Sequence, residues 1–222
     1  LSNVYSTSAV SAPAIYAGGI AGLSLGSISQ AYATGPVSGG SNVGGLVGYS
    51  GGSITQSYAT GAVSGTSNVG GLLGYNGGSI AQSYWDSYTT GQAAGIGAGA
   101  ATSGLNEVTS DPAQSGAAND AYRQSAYADF DFTPGNISTG WFSIDGQTRP
   151  FGQWEYSTNI SNAHQLQLMA MNLDASYRLT SNIDFSGGFV GGKYPGMWSP
   201  TGFSPIGDLF GQFTGSLDGQ NH

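Results

Sequence analysis

Between residues 18 and 92 the apolar positions come in short bursts, each closed by Gly, Gly-Gly or a small polar residue. Ser53-Ile54-Thr55-Gln56-Ser57-Tyr58 shows the pattern best. Its β-branched and aromatic residues alternate with polar ones at a period near two, which predicts a strand. The bursts themselves recur. Gly18, Gly44 and Gly70 follow one another with a period of 26. The same spacing aligns Ile20, Leu46 and Leu72; Gly22, Gly48 and Gly74; Ile28, Ile54 and Ile80; Gln30, Gln56 and Gln82; and Tyr32, Tyr58 and Tyr84. Val37 and Val63 form a shorter column, and Tyr5 joins the tyrosines at a spacing of 27. One copy is too short to bury its own apolar face. Copies stacked about 4.8 Å apart pair each strand above and below and align identical side chains. The expected rung has roughly three strands and three turns, with the Gly columns at corners that need positive φ. In an unbulged strand Ile54, Gln56 and Tyr58 share one face. Either the Gln amides then bond along the stack, or a bulge turns them outward.

Gly-Gly-Leu-x-Gly-Tyr and Ser-Ile-x-Gln-Ser-Tyr recur together at this fixed period in residues 44–58 and 70–84. This combination resembles the GLUG repeat of large secreted bacterial proteins, among them filamentous-haemagglutinin-like adhesins and some IgA-specific metallopeptidases. The resemblance covers residues 18–92 well and residues 1–17 weakly. The third copy departs after Tyr84, where Trp85-Asp86-Ser87-Tyr88 stands in place of Ala-Thr-Gly-Ala. In similar proteins such a variant ends a repeat block, so it reads here as a capping repeat. The resemblance implies an all-β solenoid of roughly 26-residue rungs on a cell surface or in the extracellular medium. No HExxH motif is present, so a peptidase centre of the related enzymes is not in this chain.

Three segments are expected: the repeat solenoid over 1–92, an irregular β and loop continuation over 93–160, and a part over 161–222 with one short helix and the start of a further β-helical stretch. Ala93 to Ser103 reads as a loop, Gly104 to Pro112 as a short element, and Trp141 to Gly146 as a strand entering a turn. Asn162 can cap the helix, with Gln165 three residues on and Leu166, Met169 and Leu173 sharing a face. Tyr177–Leu179 and Asn182–Phe185 read as strands. Trp198, Ile206, Phe210, Phe213 and Leu217 continue among Gly and Pro turns, and the stretch from Phe213 to Gly219 breaks off before its next strand. The chain reads as a piece of something longer.

Charge and composition act mainly by exclusion. Of 222 residues only 7% are charged, 39 are Gly and none is Cys, and the net charge is −8. An apolar content of 39% is too high for a disordered chain. The four bases Arg123, Arg149, Arg178 and Lys193 form no stripe, so nucleic acid is not an expected partner. No apolar run reaches the length of a membrane span, and none is expected to insert. From Leu1 to Trp85 the chain contains no Asp, Glu, Lys, Arg, His or Cys. Acid–base and nucleophilic catalysis both need a titrating group, so the repeat block is expected to be non-catalytic.

Asp129 and Asp131 suit a paired-carboxylate or Ca²⁺ site less well than a solvated edge. Asp86 suits a cap better than a ligand site. His164 lacks a second His nearby, so no metal and no cofactor are expected. The candidate binding residues are Tyr32, Tyr58, Tyr84 and Trp85: facing outward they would stack on sugars or proteins, facing inward they would be core, which is favoured. The expected function is that of an adhesin surface for cell adhesion, aggregation or biofilm, meeting host or bacterial surface glycans or proteins, or other copies of itself. A self-assembling extracellular filament is the first alternative. A carbohydrate-binding or carbohydrate-active β-helix protein is the second; Asp129, Asp131, Asp145 and Arg149 meeting in one cleft would support the carbohydrate-active enzyme, and scattered positions would sink it.

Overall fold

A computed structural model describes residues 1–13, 15–185, 196–208 and 211–222, so Lys193 and Phe210 lie outside the described residues. The first half is a parallel β-solenoid with four columns of strands. The first column stacks Ser2–Ser6, Ile28–Ala33, Ser53–Thr55 with Tyr58–Ala59, Ser79–Ala81 with Ser83–Asp86, and Leu105–Val108. The second holds Val10–Ala12, Val37–Gly39 and Val63–Ser64, and the third Ala17–Gly18, Ser41–Gly44 and Ser67–Gly70. The fourth holds Ala21–Ser24, Val47–Ser50, Leu73–Asn76 and Ile96–Gly99. The rung therefore has four strand segments where three were expected. The second and third are joined by so few residues, Gly40 alone between Val37–Gly39 and Ser41–Gly44, that the sequence does not separate them.

Register follows the repeat. Ile28 pairs with Ile54 and Ile54 with Ile80, while Tyr58 pairs with both Tyr32 and Tyr84, all at a spacing of 26. In the first rung Tyr5 pairs with Tyr32 and Val10 with Val37 at 27, but Ala17 pairs with Val43 at 26. One extra residue thus sits in the corner between Ala12 and Ala17. The last rung is shorter: Leu73 pairs with Ile96 and Trp85 with Glu107, at spacings of 23 and 22. A helical turn at Ser87–Thr90 replaces its second and third strands.

The first-column strand is bent rather than straight. Gln30, Gln56 and Gln82 adopt φ of 45°, 46° and 51°. This left-handed residue resets the alternation. Ile28 faces the lumen before the bend, Ala31 and Ala33 face it afterwards, and Tyr32 points the other way. The bend is stabilised locally, because the Ala31 and Ser57 amides donate to Ser57 Oγ at 3.2 Å and Ser83 Oγ at 3.3 Å. One pair of Gln amides also bonds along the stack, Gln30 Nε2 donating to Gln56 Oε1 at 2.5 Å, while Gln56 Nε2 donates to the Asp129 carbonyl at 3.3 Å.

A second left-handed column, Asn42 and Asn68, has φ of 49° at both residues and a 2.9 Å bond between the side chains. Asn tolerates this conformation better than most residues. The expectation that the repeat glycines mark positive-φ corners is therefore corrected: Gln and Asn turn the corners. The glycines allow backbones to touch. A Cβ on Gly74 would lie 2.2 Å from the Asn42 carbonyl carbon and 2.4 Å from the Val43 nitrogen.

Ile28, Ile54, Ile80, Leu46 and Leu72 fill the lumen with Ala33 and Ala59, and Trp85 closes its end. Ala17, Val37, Val43 and Val63 form a smaller core beside it. Beyond the solenoid, Trp141–Phe142 pairs antiparallel with Phe151–Gly152. The helix Ala163–Leu168 is capped by Asn162, whose side chain accepts from the Gln165 amide at 2.9 Å, and a 3-10 turn at Met169–Met171 extends it. Asn159–Ile160, Ser176–Leu179 and Ser216–Asp218 stack in parallel as a second, smaller ladder.

Two expectations differ here. Asn182–Phe185 is not a strand, and Ala93–Ser103 contains the strand Ile96–Gly99. A Gly-Ala segment has little strand propensity of its own and pairs because Leu73–Asn76 presents an edge in register. No described helix is long and apolar enough to cross a membrane.

Candidate functional site

The tyrosine column projects from the outer side of the first sheet. Tyr5 and Tyr32 stack at 5.2 Å and 10°, Tyr32 and Tyr58 at 5.0 Å and 1°. This outer ladder is not in water. Residues of the second half close over it, among them Tyr127, Phe130, Trp141, Phe151 and Trp198. Tyr58 donates to the Pro150 carbonyl at 2.7 Å, and Tyr84 meets Phe130 edge-on at 5.2 Å. Trp85 lies in the lumen cap, its indole donating to the Gln92 carbonyl at 3.0 Å. Tyr32, Tyr58, Tyr84 and Trp85 are all buried, so none offers an open ring face. The ladder is the seam between the two halves. Burial, reinforced by the Glu155 charge, pushes the Tyr5 hydroxyl up to about 12. Burial likewise raises Tyr32 and Tyr58 well above the usual tyrosine range.

Asp86 ends the repeat block as a cap. Its Oδ1 accepts from the Tyr88 amide at 3.0 Å and the Thr89 amide at 3.3 Å, starting the helical turn. The same carboxylate accepts from the Ser110 amide at 3.2 Å and hydroxyl at 2.6 Å. It also forms an ion pair with Arg149, both side chains being fully buried. The guanidinium lies 4.7 Å from the Tyr122 ring centre and donates to the Gly196 carbonyl. Desolvation pulls the Arg149 pKa down, but Tyr122, Asp86 and Tyr127 outweigh it and the net shift is upward. Asp129, Asp131, Asp145 and Arg149 do not meet. Asp129 lies beside the Tyr84 hydroxyl, Asp131 accepts from the Thr133 amide at 2.8 Å, and Asp145 accepts from the Gln124 amide at 2.8 Å. Among the described residues no group of three or more His, Cys, Asp and Glu is placed to hold a metal.

A buried polar network crosses the seam. The Tyr32 hydroxyl donates to Glu155 Oε1 at 2.6 Å, and His164 Nδ1 lies 2.8 Å from Glu155 Oε2 and 2.9 Å from the Tyr32 oxygen. The Gly152 amide donates to the same Oε1 at 3.0 Å. Tyr5 stacks on the imidazole at 4.9 Å. A cavity of about 190 Å³ opens beside the network, lined by Tyr5, Thr34, Asn162, His164, Phe185 and Trp198 among others. Glu155 carries no sequence signal beyond being a rare charge within an aromatic stretch, and 123 residues separate it from Tyr32. A solitary His with no second His nearby gives no hint of a carboxylate and a phenol as partners.

A second ladder faces outward on the fourth column. Tyr49 and Tyr75 stack at 5.1 Å and 2°, and Tyr16 meets Tyr49 at 5.6 Å. These rings are partly exposed, and Leu23 and Leu25 beside them are 50% and 74% exposed. Their signal was the Gly-Tyr of the repeat, whose spacing matches that of the buried column and so does not separate the two.

The GLUG motif family matches residues 39–64, one full rung of the solenoid, so a GLUG repeat is present. No curated protein and no solved structure matches the chain.

Proposed function

We propose that this chain is a non-catalytic part of a secreted or surface-exposed bacterial protein of the filamentous-haemagglutinin-like kind. It acts by presenting the outer face of its solenoid for adhesion or aggregation, towards surface glycans or proteins or other copies of itself. The observation that carries this reading is the outward aromatic ladder of Tyr49 and Tyr75, with Tyr16, Leu23 and Leu25, on a scaffold uncharged from Leu1 to Trp85. Contiguous exposed apolar patches on a folded surface mark interaction sites. The absence of charge there lowers the desolvation cost of contact. The separate engagements of Asp129, Asp131, Asp145 and Arg149 support a non-catalytic role. Beads coated with the protein are expected to bind cells or clump. Tyr49→Thr with Tyr75→Thr, at positions that keep strand propensity, is expected to reduce this at least fivefold at an unchanged melting temperature. Adhesion by the double variant equal to the parent's, or none by the parent, would overturn the reading.

A further inference from the structure

We propose that the cavity beside the Tyr32–Glu155–His164 network binds one neutral pyranose unit, free or at the end of a glycan. The imidazole sets the chemistry. Nδ1 carries a proton towards Glu155, because its partner is the acceptor-only carboxylate at 2.8 Å. Nε2 is the other polar atom of the ring. It has no partner among the described residues, and the ring lines the cavity. A hydroxyl, which both donates and accepts, suits an unpaired ring nitrogen beside a cavity.

Hydroxyl-bearing residues line the same cavity. The Tyr5 hydroxyl accepts from Asn162 Nδ2 at 3.4 Å, which leaves its own proton to give, and a pKa of about 12 keeps that proton in place. Thr34 adds a hydroxyl at the wall. The Tyr5 and Phe185 rings supply apolar surface for C–H groups. Trp198 Nε1 is already committed to Gln167 at 2.8 Å, so the indole contributes only ring surface. Ring nitrogen, hydroxyls and ring faces together suit a polyol ring.

Size and charge narrow the class. The cavity's volume of about 190 Å³ lies below the about 300–1,000 Å³ of drug-sized sites. It equals the space of about six waters. Glu155 behind the imidazole disfavours an anionic sugar. This site lies apart from the Tyr49–Tyr75 face, so it stands or falls independently of the adhesive reading.

The test is titration of the whole chain with methyl α-glucoside, methyl β-galactoside and N-acetylglucosamine, followed by NMR of the His164 and Tyr5 ring signals. N-acetylneuraminic acid and choline serve as comparison probes, and a trisaccharide ending in the preferred unit separates glycan ends from free sugar. At least one neutral pyranoside is expected to saturate and to shift both ring signals, with the acid at least tenfold weaker. Tyr5→Phe and Thr34→Val keep shape and remove one hydroxyl each, and each is expected to weaken binding about five- to tenfold. The proposal is overturned if no pyranoside shifts those signals at 20 mM in the unmodified protein. It is equally overturned if choline alone binds, or if both variants bind as the parent does.

Discussion

Gln56 holds a backbone conformation that most side chains avoid, and the reason is geometric. A left-handed residue between Ile54 and Tyr58 is what sends one side chain into the lumen and the other into the seam. Left-handed geometry costs an L-residue about 1–2 kcal/mol, and the cost is greatest for β-branched side chains. Gln56→Gly removes that strain along with the side-chain bonds to Gln30 and the Asp129 carbonyl, whereas Gln56→Val loses the same bonds, keeps the strain and adds to it. The valine variant is expected to be about 1–2 kcal/mol less stable than the glycine variant, read from urea midpoints. Equal midpoints would mean that the bend does not depend on this residue. The sequence left the bend as one of two readings, because Gln carries no turn signal to decide between them. It arises from the demand that Ile, Ala and Tyr each reach a different apolar environment.

The rung is held by four short parallel strands rather than by any one long one. Its period and its columns of Ile and Leu were legible because stacking repeats the same environment once per rung, but the third copy does not end the stack, since Ile96–Gly99 and Leu105–Val108 pair onto it. The number of columns was not legible. Two-residue strands such as Val63–Ser64 have no periodicity and exist only through their neighbours. Glycine is the element-scale constraint. Alanine at Gly74 would drive its Cβ into the Asn42–Val43 backbone of the facing strand. Gly74→Ala is therefore expected to cost at least about 3 kcal/mol, at the upper end of overpacking effects. A Cβ on Gly26 meets nothing within 4 Å among the described residues, and Gly26→Ala is expected to stay within about 0.5 kcal/mol. Melting curves of the two variants make the comparison, and similar melting temperatures would contradict close backbone packing.

The whole molecule is a solenoid whose one aromatic flank is sealed by the chain's own second half. That seal is not legible in the sequence because the hydroxyls of Tyr32 and Tyr58 bond to Glu155 and Pro150, more than 90 residues away. The Asp86–Arg149 pair fastens the same seam. Arg149→Met leaves Asp86 charged and buried, and is expected to lower stability by about 3–5 kcal/mol. Asp86→Asn with Arg149→Met removes both charges while Asn keeps the capping acceptor, and is expected to recover a large part of that loss. Denaturation by urea tests the pair, and a double variant no better than Arg149→Met would show that the charge is not the cause.

Alkali tests the ladder. The folded state raises the pKa of Tyr5 to about 12, and those of Tyr32 and Tyr58 well above their ordinary value of 10.0. A raised pKa favours the protonated form in the fold, so this stability is fully present below pH 10 and is lost as pH climbs through the folded values. Tyrosinate absorbance from these rings is expected to appear together with the loss of circular dichroism above that pH. Absorbance that rises fully while the fold persists would contradict burial.

The extra residue between Ala12 and Ala17 has a use in engineering. The first rung is one residue longer there, and the register of Ala17 with Val43 and of Ala21 with Val47 is undisturbed. That corner is a splice point. A foreign peptide inserted at the corresponding Gly39–Ser41 turn would be displayed at a fixed height on the stack, and a second peptide one rung along would stand about 4.8 Å from it.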